Sequence, residues 1–228
     1  MICLFINNMN LNIQNNKTSE EIASHIAEAI NKQIRLGKNV LWFLSGGSFI
    51  PTEILISKKI DEVPPGKLVV TMGDEKYGSV DYEESAWFKL MKGGFDIKGA
   101  KLIPYLNGKD ILNTTEDIIK IIQEEITKAD YKIGLFGMGA DGHTAGVLPH
   151  TPAVKADYLA YAYDAPPFKR ITITPKTIAT FDEAFLYAMG ESKWPMIEKL
   201  KLDDISIEDQ PAQILKSIPL LTIFTDIK

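Results

Sequence analysis

The chain has 228 residues, 45% of them hydrophobic and 24% charged, which allows a globular core without disulfide or metal staples. Its formal net charge of −5 argues against a general nucleic-acid-binding protein, which needs a basic excess to displace counterions from phosphates. The single cysteine, Cys3, excludes an internal disulfide framework, and no apolar run approaches the ~20 residues that a membrane span needs. No signal peptide is recognisable, so we expect a soluble, cytoplasmic protein.

Predicted strands and helices alternate along the chain. Continuous apolar runs between turn residues predict strands, and apolar residues at helical spacing, often after a capping residue, predict helices. In the first half of the chain we expect a strand at 2–6, a polar loop at 7–16, a helix at 19–36, a strand at 40–44, a helix from Pro51, a strand at 67–72, a helix at 83–91 and a strand at 102–105. A helix from Thr114 or Thr115 to 128, a strand at 131–136 and a surface loop at 148–169 follow. The last part has a strand at 171–174, a first-turn proline at Pro175, a strand at 184–188, helices at 192–200 and 211–216, and a strand at 220–224.

This alternation predicts a single-domain α/β protein over residues 1–228, with a mostly parallel, doubly wound (Rossmann-like) sheet and helices on both faces. Ligands of open parallel sheets bind beyond the carboxyl ends of the strands. Polar or Gly-rich segments directly follow four of the predicted strands, at residues 45–48, 73–76, 137–144 and 190–193. We therefore expect these segments to meet at one edge of the sheet and to form the functional site.

One of these segments, Ser45-Gly46-Gly47-Ser48, has the composition of an anion-binding turn. Its two glycines allow backbone N–H groups to converge, and the helix that follows adds the positive end of its dipole. The same residues also suit a tight strand-to-helix turn that binds nothing. The turn alone does not decide between the two interpretations.

Charged residues lie near three of the predicted strands. Asp74, Glu75 and Lys76 follow one strand, Arg170 precedes another, and Lys193 lies one turn into a helix after a third. Each basic residue taken singly is typical of a solvated surface, but together they could offset the acidic net charge around a phosphate. For the acidic residues, and for Glu75 in particular, a solvated turn is the alternative interpretation.

A histidine occupies the Gly-rich loop after the strand at 131–136. Gly137, Gly139 and Gly142 have the G-x-G-x-x-G spacing of dinucleotide-binding loops, but two prolines within ten residues exclude the long helix that such a loop opens. His143 is a candidate general base because its side chain titrates near neutral pH, and Asp141 is placed to orient it. A structural histidine is the alternative, but the position of the loop at a strand's carboxyl end favours catalysis.

Metal ligands are sparse in the sequence. The three histidines, at positions 25, 143 and 150, lack the Cys/His spacing of a zinc site, and the acidic clusters do not form a calcium loop. We predict no metal and no cofactor.

The histidine loop resembles the signature of the 6-phosphogluconolactonase family. Residues 137–145, Gly-Met-Gly-Ala-Asp-Gly-His-Thr-Ala, and the following Leu148-Pro149 are similar to the family's Gly-Met-Gly-x-Asp-Gly-His-Thr-Ala-Ser and Leu-Phe-Pro. Further family motifs are matched in the same order by residues 45–48, 74–76, 170–174, 190–193 and 211–212. The resemblance therefore extends over nearly the whole chain.

The resemblance implies a metal-free hydrolase of 6-phosphogluconolactone. Such an enzyme acts on a small-molecule sugar phosphate, as a monomer or a small homo-oligomer, with no nucleic-acid or membrane partner. His143 would activate the water that attacks the lactone carbonyl. The implied catalytic residues are His143, Asp141, Lys76 and Asp74, and the implied phosphate-binding residues are Ser45, Gly46, Gly47, Ser48, Arg170 and Lys193.

The related glucosamine-6-phosphate deaminase/isomerase family is one alternative. It shares the Asp-Gly-His core, but its loop continues Ile-Ala-Phe-Asn-Glu-Pro, and residues 144–149 here supply no such glutamate. In contrast, residues 74–78, Asp-Glu-Lys-Tyr-Gly, resemble the deaminase's Asp-Glu-Tyr. The sequence therefore favours the lactonase without excluding the deaminase.

A non-catalytic sugar-phosphate sensor is the second alternative. This interpretation rests on two departures from the lactonase pattern, Lys76 in place of Arg and Ala86 in place of Asn; the chain also departs at residues 49–51, which replace Thr-Pro, and at Gly146, which replaces Ser. Retention of the Asp-Gly-His core together with Lys193 favours an enzyme.

Overall fold

The structure, a computed structural model, describes residues 10–227. Its strands are β1 (Asn10–Asn15), β2 (Val40–Leu44), β3 (Leu68–Met72), β4 (Asp74–Lys76), β5 (Lys101–Leu102), β6 (Tyr131–Gly137), β7 (Ala160–Ala165), β8 (Phe168–Ile173), β9 (Glu183–Ala188) and β10 (Leu220–Thr225). Its helices are α1 (Ser19–Arg35), α2 (Ile50–Ser57), α3 (Ala86–Lys92), α4 (Ile111–Lys128), α5 (Pro152–Lys155), α6 (Pro175–Ile178) and α7 (Trp194–Leu202), with 3-10 turns at Gly47–Phe49, Glu191–Lys193 and Pro211–Ser217. Within this range no helix has both the length and the apolar character needed to cross a membrane. The strand predicted at 2–6 lies outside the described residues.

Seven strands form a parallel sheet in the order β1-β10-β9-β6-β2-β3-β5. Strand β2 is buried along its whole length, as expected for a continuous apolar run in the middle of such a sheet. The predicted α/β fold, with a mostly parallel sheet flanked by helices, is confirmed. Because β9, β6, β2 and β3 lie side by side in one direction, the segments after them emerge at one edge, here called the carboxyl edge.

A second sheet of three antiparallel strands, in the order β4-β8-β7, is joined to the carboxyl edge. Gly73 makes the junction, since its N–H donates to the Leu44 carbonyl and its own carbonyl accepts from the N–H of Ile173. The prediction of a loop at 148–169 is wrong, because α5, β7 and the beginning of β8 lie there. Burial along β7 does not follow a two-residue period, so the residue pattern did not indicate a strand, and the two prolines after it form the turn to β8.

Three smaller expectations are also wrong. Residues 10–15 form an edge strand and not a loop, because polar side chains are tolerated where only β10 pairs with the strand. Helix α4 begins before Thr114 and Thr115, since Asp110 caps it by accepting hydrogen bonds from the N–H groups of Leu112 and Asn113. Residues 211–217 form 3-10 turns where an α-helix was expected.

Candidate active site

A cavity of about 510 Å³ opens at the carboxyl edge. All four segments that were expected to meet there contribute to its wall. Nine of the ten predicted site residues line it, namely Ser45, Gly46, Gly47, Ser48, Asp74, Lys76, His143, Arg170 and Lys193. The tenth, Asp141, is joined to the cavity by its hydrogen bond to His143.

The Ser-Gly-Gly-Ser turn, residues 45–48, connects β2 to the 3-10 turn before α2. Gly46 has a φ of +71°, and a Cβ at this position would lie 2.7 Å from the Cβ of Ala86, so only glycine fits. Gly47 also has a positive φ. Among residues 10–227, no group accepts a hydrogen bond from the N–H of Gly47 or Ser48. These two N–H groups at a helix start are therefore available to an anion.

The other two N–H groups of the turn are taken by a residue that the sequence analysis missed. Glu53 on α2 is fully buried, and its Oε1 accepts hydrogen bonds from the N–H groups of Ser45 at 2.7 Å and Gly46 at 3.1 Å. Burial raises the pKa of Glu53 to about 7, although these two N–H bonds oppose the shift, and the nearby Asp74 adds to it.

The His143 ring is fixed by Asp141. The ring Nδ1 lies 2.6 Å from Asp141 Oδ1, and the same oxygen accepts a hydrogen bond from the backbone N–H of His143. Burial favours the neutral acid, but these bonds hold the pKa of Asp141 below its ordinary value. A Cβ on Gly139 would lie 2.2 Å from the ring, so glycine makes the room that this arrangement needs. Because the carboxylate is an acceptor, the proton is placed on Nδ1 and Nε2 carries a lone pair.

The antiparallel sheet brings Asp74 and Arg170 together. Strand pairing puts Lys76 opposite Arg170, and Arg170 Nη1 donates a 2.7 Å hydrogen bond to Asp74 Oδ2. Burial raises the pKa of Asp74, while the adjacent guanidinium opposes the shift. The Nε of Arg170 is buried and has no hydrogen-bond partner among the described residues.

Two ammonium groups share one carboxylate on the wall next to this pair. Lys76 Nζ lies 3.2 Å from Glu84 Oε2 and 4.1 Å from the centre of the Phe168 ring, and Lys89 Nζ lies 2.7 Å from the same Glu84 oxygen. Glu84 and Lys89 were not predicted, because they precede or belong to α3 and do not follow a strand of the main sheet. Two cations to one anion leave this wall with an excess of positive charge, which suits an anionic ligand.

Glu75 is buried, so the alternative interpretation of a solvated turn is wrong for this residue. Its carboxylate accepts hydrogen bonds from Ser85 Oγ at 2.8 Å and from the N–H groups of Ala86 at 2.8 Å and Trp87 at 2.9 Å. These are free donors at the start of α3, so Glu75 caps the helix. Burial raises the pKa of Glu75, although the N–H bonds oppose the shift.

Lys193 reaches the cavity from the 3-10 turn after β9. Asp226 secures this turn by accepting hydrogen bonds of 2.9 Å from the N–H of Gly190 and from Nε1 of Trp194. Burial lowers the pKa of Lys193, while Asp226 opposes the shift. Within residues 10–227 Lys193 forms no ion pair, which leaves its ammonium group to a ligand.

The chain matches one protein-family model over residues 14–221, nearly its whole length. The description of that family is glucosamine-6-phosphate isomerases/6-phosphogluconolactonase. The chain belongs to this family.

Several curated members of the glucosamine-6-phosphate isomerase/6-phosphogluconolactonase family are similar to the chain. A 6-phosphogluconolactonase of Borreliella burgdorferi is 34% identical over 98 residues, which are 41% of this chain and 42% of that protein. The alignment with a probable 6-phosphogluconolactonase 1 of Arabidopsis thaliana is longer, with 28% identity over 84% of this chain and 78% of the relative.

Solved structures from the same family share the fold. The structure of a 6-phosphogluconolactonase from Shewanella baltica has a TM-score of 0.79 and 18% identity, covering 96% of this chain and 99% of that one. A monomeric glucosamine-6-phosphate deaminase has a TM-score of 0.76 and 21% identity, with 94% and 96% coverage. Both enzyme types of the family thus have this architecture, and the fold does not choose between them.

Residues 10–227 contain no group of three or more His, Cys, Asp or Glu residues arranged to hold a metal ion. The absence of a metal or cofactor requirement stays a prediction.

Proposed function

We propose that the chain hydrolyses 6-phospho-D-glucono-1,5-lactone to 6-phosphogluconate. The observation that carries the proposal is the placement of His143, fixed by Asp141 at 2.6 Å, in the same cavity as the Ser-Gly-Gly-Ser turn. A general base and an anion site in one cavity suit hydrolysis of a phosphorylated ester. The names of the Borreliella and Arabidopsis relatives support the same activity.

In this proposal the phosphate is held by the free N–H groups of Gly47 and Ser48, by the ammonium of Lys193 and by the guanidinium of Arg170. Ser45 and Gly46 shape the turn around it. Charge-assisted donors of this kind bind a phosphate strongly, and they anchor the substrate at the end remote from the lactone. Asp74 holds Arg170 in position through their hydrogen bond. Lys76 adds positive charge to the same wall of the cavity.

The hydrolytic step then uses His143 as the base. Nε2 takes a proton from water while the water oxygen bonds to the lactone carbonyl carbon, whose carbonyl oxygen becomes negatively charged. When this tetrahedral species collapses, the bond between the carbonyl carbon and the ring oxygen breaks. The ring oxygen accepts the proton from Nε2 and becomes a hydroxyl group, and the new carboxylic acid ionises in solvent. Asp141 stabilises the transient imidazolium.

Glucosamine-6-phosphate deamination is the second candidate function, because the family includes both enzymes and a deaminase shares the fold. The local residues favour the lactonase. Residues 144–149 carry no carboxylate, and Glu75, which resembles the deaminase's glutamate, is buried as the cap of α3. No carboxylate is therefore offered where the deaminase loop would supply one.

Hydrolysis of freshly prepared 6-phosphogluconolactone, with the spontaneous rate subtracted, tests the proposal. We expect His143→Ala to lower kcat by at least about 100-fold, the usual contribution of a general base, while 6-phosphogluconate still binds. The matched control is His150→Ala, which removes an exposed histidine that lies outside the cavity and 3.5 Å from Asp209. No acceleration by the wild type, combined with ammonia release from glucosamine 6-phosphate, would replace the lactonase by the deaminase.

A further inference from the structure

Glu53 is a buried carboxylate whose surroundings lack a positive charge. It has no exposed surface, and among the described residues no lysine, arginine or histidine pairs with it. The carboxylate of Asp74 repels it and adds to the rise in the pKa of Glu53. A buried, unpaired carboxylate is unfavourable for stability, so electrostatic stabilisation of the fold does not account for this residue.

The hydrogen bonds of Glu53 divide the Ser-Gly-Gly-Ser turn into two halves. Its carboxylate occupies the N–H groups of Ser45 and Gly46, with Gly46 N–H shared between Oε1 at 3.1 Å and Oε2 at 3.2 Å. The N–H groups of Gly47 and Ser48 stay free. A turn of this kind would otherwise offer four neighbouring donors to an incoming anion.

We propose that Glu53 is a positioning residue that acts as an internal anion, filling half of the turn and confining the substrate phosphate to the N–H groups of Gly47 and Ser48. It also fixes the backbone of Gly46, whose φ of +71° and ψ of −154° are available to glycine alone. The inference rests on the proposed function, because it specifies where the phosphate of that substrate binds. The position of the phosphate in turn sets the distance from the lactone carbonyl to His143.

Glu53→Gln tests the proposal, because the amide keeps the size of the side chain but turns an N–H₂ group toward one of the two backbone donors. Glu125→Gln is the matched control, since Glu125 is also a buried helical glutamate but pairs with Lys101 outside the cavity. Calorimetric titration of each variant with 6-phosphogluconate, gluconate and inorganic phosphate separates phosphate recognition from recognition of the sugar chain. Steady-state lactone hydrolysis gives kcat and KM.

We expect Glu53→Gln to weaken 6-phosphogluconate and phosphate binding at least about ten-fold, with gluconate affinity unchanged. KM should rise in proportion and kcat should change less than about three-fold, whereas Glu125→Gln should match the wild type in every binding constant. Equal loss of gluconate and 6-phosphogluconate affinity, unchanged phosphate affinity, or a wild type that binds neither phosphate probe would overturn the proposal.

The binding measurements distinguish failure of this inference from failure of the proposed function. If the wild type binds phosphate but does not hydrolyse the lactone, and Glu53→Gln selectively loses phosphate affinity, the role of Glu53 is supported and only the lactonase is rejected. If Glu53→Gln fails to fold, amide hydrogen exchange of the wild type replaces it. The N–H groups of Ser45 and Gly46 should be protected in the free protein, and those of Gly47 and Ser48 only after 6-phosphogluconate is added. Protection of all four, or of none, in the free protein would contradict the proposal.

Discussion

At the scale of single residues, Gly146 shows how tightly the site is packed around Asp74. Its φ is +67°, and a Cβ there would lie 2.6 Å from Asp74 Oδ2, the oxygen that accepts the hydrogen bond from Arg170. The lactonase pattern that the loop resembles has serine at this position. In this chain the serine side chain and the Asp74–Arg170 pair exclude each other, so the departure at Gly146 belongs to the local arrangement of Asp74.

We therefore expect Gly146→Ser to lower kcat/KM for the lactone by at least about ten-fold, because the new side chain displaces Asp74 and with it Arg170. Gly94→Ser is the control, since Gly94 also has a positive φ, of +87°, but open space around it. The control carries the same backbone strain, of order 1 kcal/mol, without the collision. Equal kcat/KM values for the two variants would show that the contact with Asp74 has no influence on activity.

Some residues of the site could be predicted from the sequence and others could not. His143 and the Ser-Gly-Gly-Ser turn could be predicted, because short motifs after strands define both. The role of Glu53 could not be predicted, because its partners are backbone N–H groups of a turn. No sequence pattern indicates which side chain accepts hydrogen bonds from such groups. Lys89 reaches the cavity from α3, and its approach depends on tertiary packing, not on its position after a strand.

At the scale of elements, the strands that are buried on both faces are the ones that the sequence predicts best. Strands β2, β3 and β6 are mostly apolar and mostly buried, and they were predicted to within one residue at each end. Strand β7 was missed, since it is neither a continuous apolar run nor regularly alternating in burial, and two prolines follow it directly. The motif at residues 74–76 was located correctly, but its short strand β4 forms only because β8 pairs with it.

Helix α3 has two caps. Ser85, adjacent in sequence, accepts from the N–H of Phe88, and Glu75 on the distant strand β4 accepts from the N–H groups of Ala86 and Trp87. Glu75→Ala leaves buried donors without partners, and we expect it to lower the free energy of unfolding by at least about 2 kcal/mol. Urea unfolding measures this effect.

Thr18→Ala is the comparison for that experiment. Thr18 caps α1 by accepting from the N–H of Glu21, but at an exposed position where water can replace the side chain. Its loss should lower the free energy of unfolding by about 1 kcal/mol or less. If Glu75→Ala were no more destabilising than Thr18→Ala, the hydrogen bonds from Glu75 to α3 would contribute no more to the free energy of unfolding than an exposed local cap does.

At the scale of the whole molecule, the cavity exists because the chain leaves one sheet and enters another at the carboxyl edge. Gly73 lies between β3 and β4 and is hydrogen-bonded to both sheets, so Asp74 and Lys76 turn away from the parallel sheet and face Arg170. Alternation of strands and helices predicts the parallel sheet. It does not predict which sheet a short strand joins, because that choice depends on pairing between residues about 100 positions apart.

The placement of Glu53 in this fold also gives the molecule a pH-dependent stability. The pKa of Glu53 is raised by burial from 4.5 to about 7, so the folded state holds a proton that the unfolded state has lost between these values. The contribution of Glu53 to stability is therefore fully present below pH 4.5 and is lost as the pH rises through 7. At about 1.36 kcal/mol per pH unit, the loss amounts to roughly 3 kcal/mol.

Glu53→Gln removes this titration, whereas Asp74 and the other shifted carboxylates remain in both proteins. The free energy of unfolding of Glu53→Gln minus that of the wild type should increase by roughly 3 kcal/mol between pH 4.5 and pH 8, on top of any constant offset from the altered hydrogen bonds. Urea unfolding at several pH values measures the difference. A difference that stays constant would mean that Glu53 keeps an ordinary pKa. A rising difference, together with weakened phosphate binding, would mean that the molecule keeps a destabilising charge because the phosphate site requires it.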